Sequence, residues 1–225
     1  MRSIRYPATA HAAAPTTVVL LPGAYHSPED FLAAGFHTRV QSRGLDVDLE
    51  FVDPEMEHLR DRRSREQLHE QIVKPARSLG CRNLWLVGIS LGGFMALDYA
   101  AAHPGDLDGL CLLSHYLGAR WVIKEIAAAA GLAAWEGGAG PAIDDARAIW
   151  SFIRSLAIEQ AQVHAPPHTP ALDLYLGYGT EDRFAAAHRL MAGALPANVS
   201  KAVIGRHDWD TWTTLWEDFL DSRLS

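Results

Sequence analysis

The chain is poor in cysteine: Cys81 and Cys111 are the only two among 225 residues. So few exclude a disulfide-stapled scaffold and a cysteine-built metal cluster, and they suit a reducing compartment. Both lie at or inside apolar runs, where a buried free thiol is the plain expectation. Long hydrophobic runs are missing too, and nothing approaches the roughly 20 continuous apolar residues of a membrane span. Residues 1–7 carry charge without the apolar core of a signal peptide, and residues 8–14 are too weakly apolar to supply one. Positive charge is in deficit, with a formal net charge of −7, which argues against nucleic acid or an anionic membrane surface as partner. These absences lead us to expect a soluble, cytoplasmic protein. Apart from an excess of alanine there is no low-complexity segment, and no internal repeat.

What is present is a composition 48% hydrophobic over 225 residues, enough for one domain, 1–225, with a full core. Residues 17–21 form a β-branched and aliphatic strand closed by Pro22-Gly23. Ser27 then caps a helix that starts with Pro28 and carries Phe31, Phe36 and Val40 on its apolar side, weakened at Gly35. Residues 46–52 alternate as a second, less buried strand. Residues 64–79 carry a helical stripe that Pro75 should kink or end. Residues 84–97 read as strand, tight turn and helix, and residues 107–114 as a buried strand. Further strands are expected over 172–179 and 201–204, with helices over 184–195 and 210–220. This alternation predicts an α/β fold, a mostly parallel sheet with helices on both faces, whose ligand site lies beyond the carboxyl ends of the strands. Residues 115–170 break the rhythm with two expected helices, 121–135 and 143–158. They would serve either as packing against the sheet or as a small lid over the site.

The chemistry is carried by Gly88-Ile89-Ser90-Leu91-Gly92, placed where strand becomes helix. A serine forced into such a turn stands exposed at the strand end, and the following helix aims its free N–H groups at developing negative charge. A serine hydroxyl needs a base to take its proton, and the base needs a third group to fix its tautomer. Asp182 and His207 each fall just past a strand, so strand ends along one sheet edge can bring Ser90, Asp182 and His207 together. Glu181, Asp208 and Asp210 compete with Asp182, but Asp208 and Asp210 are too near His207 in sequence to face its ring from another loop. An oxyanion needs donors: the backbone N–H of Leu91 after the nucleophile, and that of Ala24, with Tyr25 second, in the turn after the first strand. His115, at another strand end, competes with His207 as base or else lines the pocket, as Tyr25 could.

With these residues in place, the chain from about Val18 to the C-terminus resembles the α/β-hydrolase superfamily, in which the triad follows the order serine, acid, histidine. Gly88-Ile89-Ser90-Leu91-Gly92-Gly93 with His103-Pro104, and Gly205-Arg206-His207-Asp208-Trp209 with Trp212, are similar to relatives of esterase D and enterochelin esterase. Leu21-Pro22-Gly23 stands where many members have a His-Gly pair, and that histidine is absent. The resemblance implies hydrolysis of a small-molecule ester, thioester or amide through an acyl-serine, with no metal and no organic cofactor. It leaves two alternatives standing, acyl transfer to another acceptor and a ligand-binding protein that keeps the fold.

Overall fold

The computed structural model describes residues 1–9, 13–54, 63–137, 145–161 and 172–225. In chain order, β1 (Arg2–Tyr6) is followed by β2 (Thr16–Leu21), α1 (Pro28–Ala33), α2 (Phe36–Ser42) and β3 (Val47–Asp53). Next, α3 (Arg63–Leu68) passes through a π-helical turn, His69–Val73, into α4 (Lys74–Ser78), β4 (Asn83–Ile89), α5 (Leu91–Ala102) and β5 (Gly109–Leu113). Beyond these lie α6 (Arg120–Ala128), α7 (Asp145–Ala161), β6 (Asp173–Gly179), α8 (Ala185–Ala192), β7 (Ser200–Val203) and α9 (Trp209–Phe219). The strands form a seven-stranded sheet in the order β1-β3-β2-β4-β5-β6-β7. Only β1 on β3 is antiparallel, and every other neighbouring pair is parallel.

Period-two alternation along the central strands divides the core between the two faces. Val19, Leu21, Leu86, Leu110, Leu112, Leu174 and Leu176 face one side, where α5 and α7 bring Leu97, Tyr99, Trp150 and Ile153. Their neighbours Val18, Leu20, Val87, Ile89, Cys111 and Leu113 face the other, covered by Phe31, Phe36, Trp212, Trp216 and Phe219. Both cysteines are buried and free. Because the strands are sealed on both sides, the exposed edge left for chemistry is the rim where β2, β4, β5, β6 and β7 end. No helix among the described residues is long and apolar enough to cross a membrane.

The structure departs from the sequence reading at several places. β1 was unforeseen: it pairs along the edge of β3, making that strand an interior one, and Val47, Leu49, Phe51 and Val52 are buried in the cores on the two faces, so β3 is not the half-exposed strand its alternation suggested. The polar positions on β3 are satisfied by the N-terminal segment instead. Asp48 is buried and accepts from Arg5 at 2.8 Å, the Ala8 N–H at 2.9 Å and the Ala14 N–H at 3.4 Å. The helix expected after Ser27 is two helices, broken where Gly35 adopts φ 75°, a left-handed conformation open to glycine. Pro75 does not end the helical run, which continues to Ser78. Just before it the helix widens into a π turn, the Lys74 N–H donating five residues back to the His69 carbonyl.

Of the segment 115–170, residues 138–144 and 162–170, including the start of the second expected helix, lie outside the described residues. The first expected helix is shorter than 121–135, since α6 stops at Ala128 and Ala130 turns left-handed at φ 62°. The two helices take different positions. Ile149, Trp150 and Ile153 of α7 join the core beside α5, and the Trp150 indole N–H donates to the Leu117 carbonyl at 3.0 Å. The stretch leading into α6 lies instead beside Ser90.

Candidate active site

Ser90 joins β4 to α5 with φ 51° and ψ −114°, a conformation non-glycine residues rarely adopt. Holding it costs roughly 1–3 kcal/mol, which its neighbours over-determine: the Ser90 N–H donates to the Leu113 carbonyl at 3.1 Å, and the Ser90 carbonyl accepts from the Tyr116 N–H at 2.7 Å. At Gly92 the elbow presses on the end of β2, and a Cβ there would collide with the Leu21 and Pro22 carbonyls. Bulk is thus excluded where the helix backbone must touch the first loop.

The three residues singled out from sequence meet at this rim. His207 Nε2 lies 2.9 Å from Ser90 Oγ, and His207 Nδ1 lies 2.7 Å from Asp182 Oδ2. The loops carrying acid and imidazole are tied together by backbone, the Thr180 N–H donating to the Val203 carbonyl at 2.8 Å and the Glu181 N–H to the Gly205 carbonyl at 3.0 Å. The imidazole is gripped edge-on by Phe184 and Trp212, with ring centroids 5.2 and 5.1 Å away. The Asp182 side chain is fully buried. Burial alone would push its carboxyl upward, but hydrogen bonds from His207 and from the Phe184 N–H, the latter 2.8 Å long, outweigh this and hold it below its ordinary value. Asp182 is therefore an acceptor-only carboxylate at neutral pH, and Nδ1 of His207 carries the proton that faces it.

Two of the rival acids are engaged elsewhere. Asp208 caps α9, accepting from the Thr211 N–H at 3.0 Å and the Thr211 hydroxyl at 2.8 Å, and Glu181 lies 3.5 Å from Arg206. Ala24 and Leu91 both line the cavity over Ser90, and among the described residues no protein acceptor takes either backbone N–H. Tyr25 and His115 line no part of it. The Tyr25 ring projects from a left-handed residue, φ 66°, and is 99% exposed. His115 is fully buried behind the elbow beside His188, ring centroids 5.0 Å apart. Burial pushes the His115 imidazole well down and that of His188 to about 4, so both are neutral there.

The cavity is about 440 Å³ in volume. Its walls include residues that sequence reasoning passed over: Tyr116, Ile123 and Phe184, with Arg120 and Arg183 beside them. Tyr116 directly follows His115 and Phe184 comes two residues after Asp182, and that nearness is the only signal the sequence offers.

No protein-family model matches the chain, and no curated protein sequence matches it significantly. Solved structures do. The chain resembles a fluorophosphonate-binding serine hydrolase of Staphylococcus aureus at 12% identity, covering 96% of this chain and 87% of that one with a TM-score of 0.65. It resembles an S-formylglutathione hydrolase of S. aureus at 10% identity, covering 96% and 85% with a TM-score of 0.63. A ferulic acid esterase matches at 15% identity, covering 91% and 82% with a TM-score of 0.58. Identities this low bear on architecture alone, and on that ground the seven-stranded, mostly parallel sheet with helices on both faces is an α/β-hydrolase fold.

Proposed function

We propose that this protein is a serine hydrolase that cleaves carboxylic esters through an acyl-serine intermediate. The reading is carried by one observation, the continuous path from Asp182 Oδ2 through the His207 ring to Ser90 Oγ at 2.7 and 2.9 Å. These are the lengths a nucleophile, a base and an orienting acid require.

In the first half-reaction the Ser90 oxygen attacks the ester carbonyl carbon while its proton passes to Nε2 of His207. The carbonyl electrons move onto oxygen, and the oxyanion takes hydrogen bonds from the free N–H groups of Leu91 and Ala24. Collapse re-forms the carbonyl and breaks the bond to the alcohol oxygen, which leaves with the proton from His207. In the second half-reaction water gives a proton to His207 and attacks the acyl-serine. Collapse then expels the Ser90 oxygen, which recovers its proton, and the carboxylic acid departs. Asp182 stays ionised throughout and stabilises the imidazolium. Each oxyanion donor of this kind is worth ~3 kcal/mol in the transition state.

The segment preceding α6, together with the first turn of α6, serves here as one wall of a small lid, with Tyr116, Leu117 and Ile123 screening the acyl-serine from bulk water. The names of the similar structures, an esterase and two hydrolases, favour the same chemistry. The test is a fluorophosphonate probe followed by mass spectrometry. Labelling of the wild type at Ser90, abolished in Ser90→Ala, is the expected result, and equal labelling of both proteins would reject the assignment.

A further inference from the structure

Two guanidinium groups, those of Arg120 and Arg183, line the cavity above Ser90. Neither makes a hydrogen bond or ion pair with the protein among the described residues, although the chain carries an excess of carboxylates. Several arginines elsewhere are matched, Arg2 holding Glu29 at 2.6 Å, Arg43 holding Asp221 at 2.6 Å and Arg77 holding Asp108 at 2.7 Å, and what sets Arg120 and Arg183 apart is that both lie on one cavity. No acidic residue lines the cavity, where Ala24, Leu91, Leu117 and Ile123 supply apolar surface and Tyr116 a phenol. Against a net charge of −7, this one concavity is cationic.

The position of Arg183 is also set. Its guanidinium carbon lies 4.8 Å from the centre of the Phe184 ring, and Phe184 in turn stands edge-on to His207. Stacking on an aromatic face holds the planar group while leaving its N–H edge free to meet a carboxylate. Arg120 enters from the opposite element, as the first residue of α6. The two charges thus reach the same space from α6 and from the loop that carries Asp182.

We propose that the cavity selects anionic esters, those in which a short apolar spacer separates the scissile carbonyl from a carboxylate held by Arg120 and Arg183. The inference rests on the reading of Ser90 as nucleophile for its catalytic consequence, and on the cavity alone for its binding consequence. A half-ester of a short dicarboxylic acid places the charge on the acyl side, and an acylated hydroxy acid places it on the alcohol side. Both present the same group at a similar distance.

The experiment compares matched pairs by acid release: monoethyl glutarate against ethyl pentanoate, and 3-butanoyloxypropanoate against propyl butanoate. The expected result is a kcat/KM ratio favouring the anion by about tenfold in at least one pair, the scale of a charge-assisted contact, declining as salt is added. That ratio should fall toward unity in Arg120→Gln/Arg183→Gln and invert when Arg183→Glu is introduced. Hydrolysis of both members of each pair without preference for the anion would overturn this inference and leave the hydrolase reading standing. Should none of the four be hydrolysed, titration calorimetry of monoethyl glutarate decides. Binding to the wild type that is lost in the double arginine variant supports the anion site, although the hydrolase reading has then failed for these esters. No binding overturns the anion site.

Discussion

Gly92 and Leu21 are in backbone contact: the helix that follows the elbow rests on the last carbonyl of β2, with no room for a methyl group between them. This contact fixes the distance between the Leu91 N–H and the loop that carries Ala24. Gly92→Ala must push those two donors apart. We expect destabilisation of about 2 kcal/mol from overpacking and a loss of kcat/KM of roughly 10²-fold from the displaced donors. Thermal unfolding and ester kinetics on the same preparation check both, and an alanine variant with wild-type kinetics would show that the contact does not set the site.

Ser90→Ala and Asp182→Asn probe the two ends of the hydrogen-bonded path. Removal of the nucleophile should abolish probe labelling and lower kcat by at least roughly 10⁴-fold, and Asp182→Asn should lower it by a comparable ~10⁴-fold because the amide favours the wrong imidazole tautomer. The double variant should be little worse than either alone, since the residues act as a unit. Additive losses would mean that they do not.

The buried imidazole of His188 makes stability depend on acidity. Its folded value is pushed from 6.5 to about 4, so as the pH falls below 6.5 the unfolded chain takes up a proton that the folded one refuses. Stability is full above 6.5 and drains away between there and about 4, by about 3 kcal/mol for a shift of this size. Urea unfolding at a series of pH values should show this loss. His188→Leu should make it shallower whatever its stability at neutral pH, the remaining slope belonging to the neighbouring buried imidazole of His115, and an unchanged slope would refute the assignment.

Asp48 ties three separate points of the N-terminal segment to β3. Asp48→Ala leaves the Ala8 and Ala14 N–H groups without that acceptor and frees Arg5, whose side chain is 42% exposed and can return to water. The expected loss is about 2 kcal/mol, read by urea unfolding, with hydrogen exchange rising first in β1. Uniform exchange across the sheet would argue against this local role.

Much of the site was legible because its signals are local. Strand, glycine, serine and helix adjoin one another around Ser90, and Asp182 and His207 fall directly after strands whose apolar runs announce them. β1 was not legible, because what makes Arg2–Tyr6 a strand is its pairing with β3, whose Asp53 lies 51 residues from Arg2. The same pairing conceals why Asp48 can be buried on β3. The cavity walls escaped for a related reason. Nothing in the immediate sequence of Arg120, Ile123 or Arg183 distinguishes them from other polar or apolar loop and helix residues, and only the meeting of α6 with the Asp182 loop makes them neighbours. His115 misled because strand ends usually face the rim, whereas here the chain turns left-handed at Ser114, φ 46°, and His115 is buried behind the elbow.

The sealing of both thiols has a practical consequence. Cys111 lies wholly inside the sheet and Cys81 is nearly as enclosed, so neither should react readily with maleimide under native conditions. A cysteine introduced at the solvent-facing position of Trp121, on the helix beside the cavity, would then be the single reactive handle on the molecule. A fluorophore placed there could report ligand entry in real time without first stripping the native sulfurs from the fold.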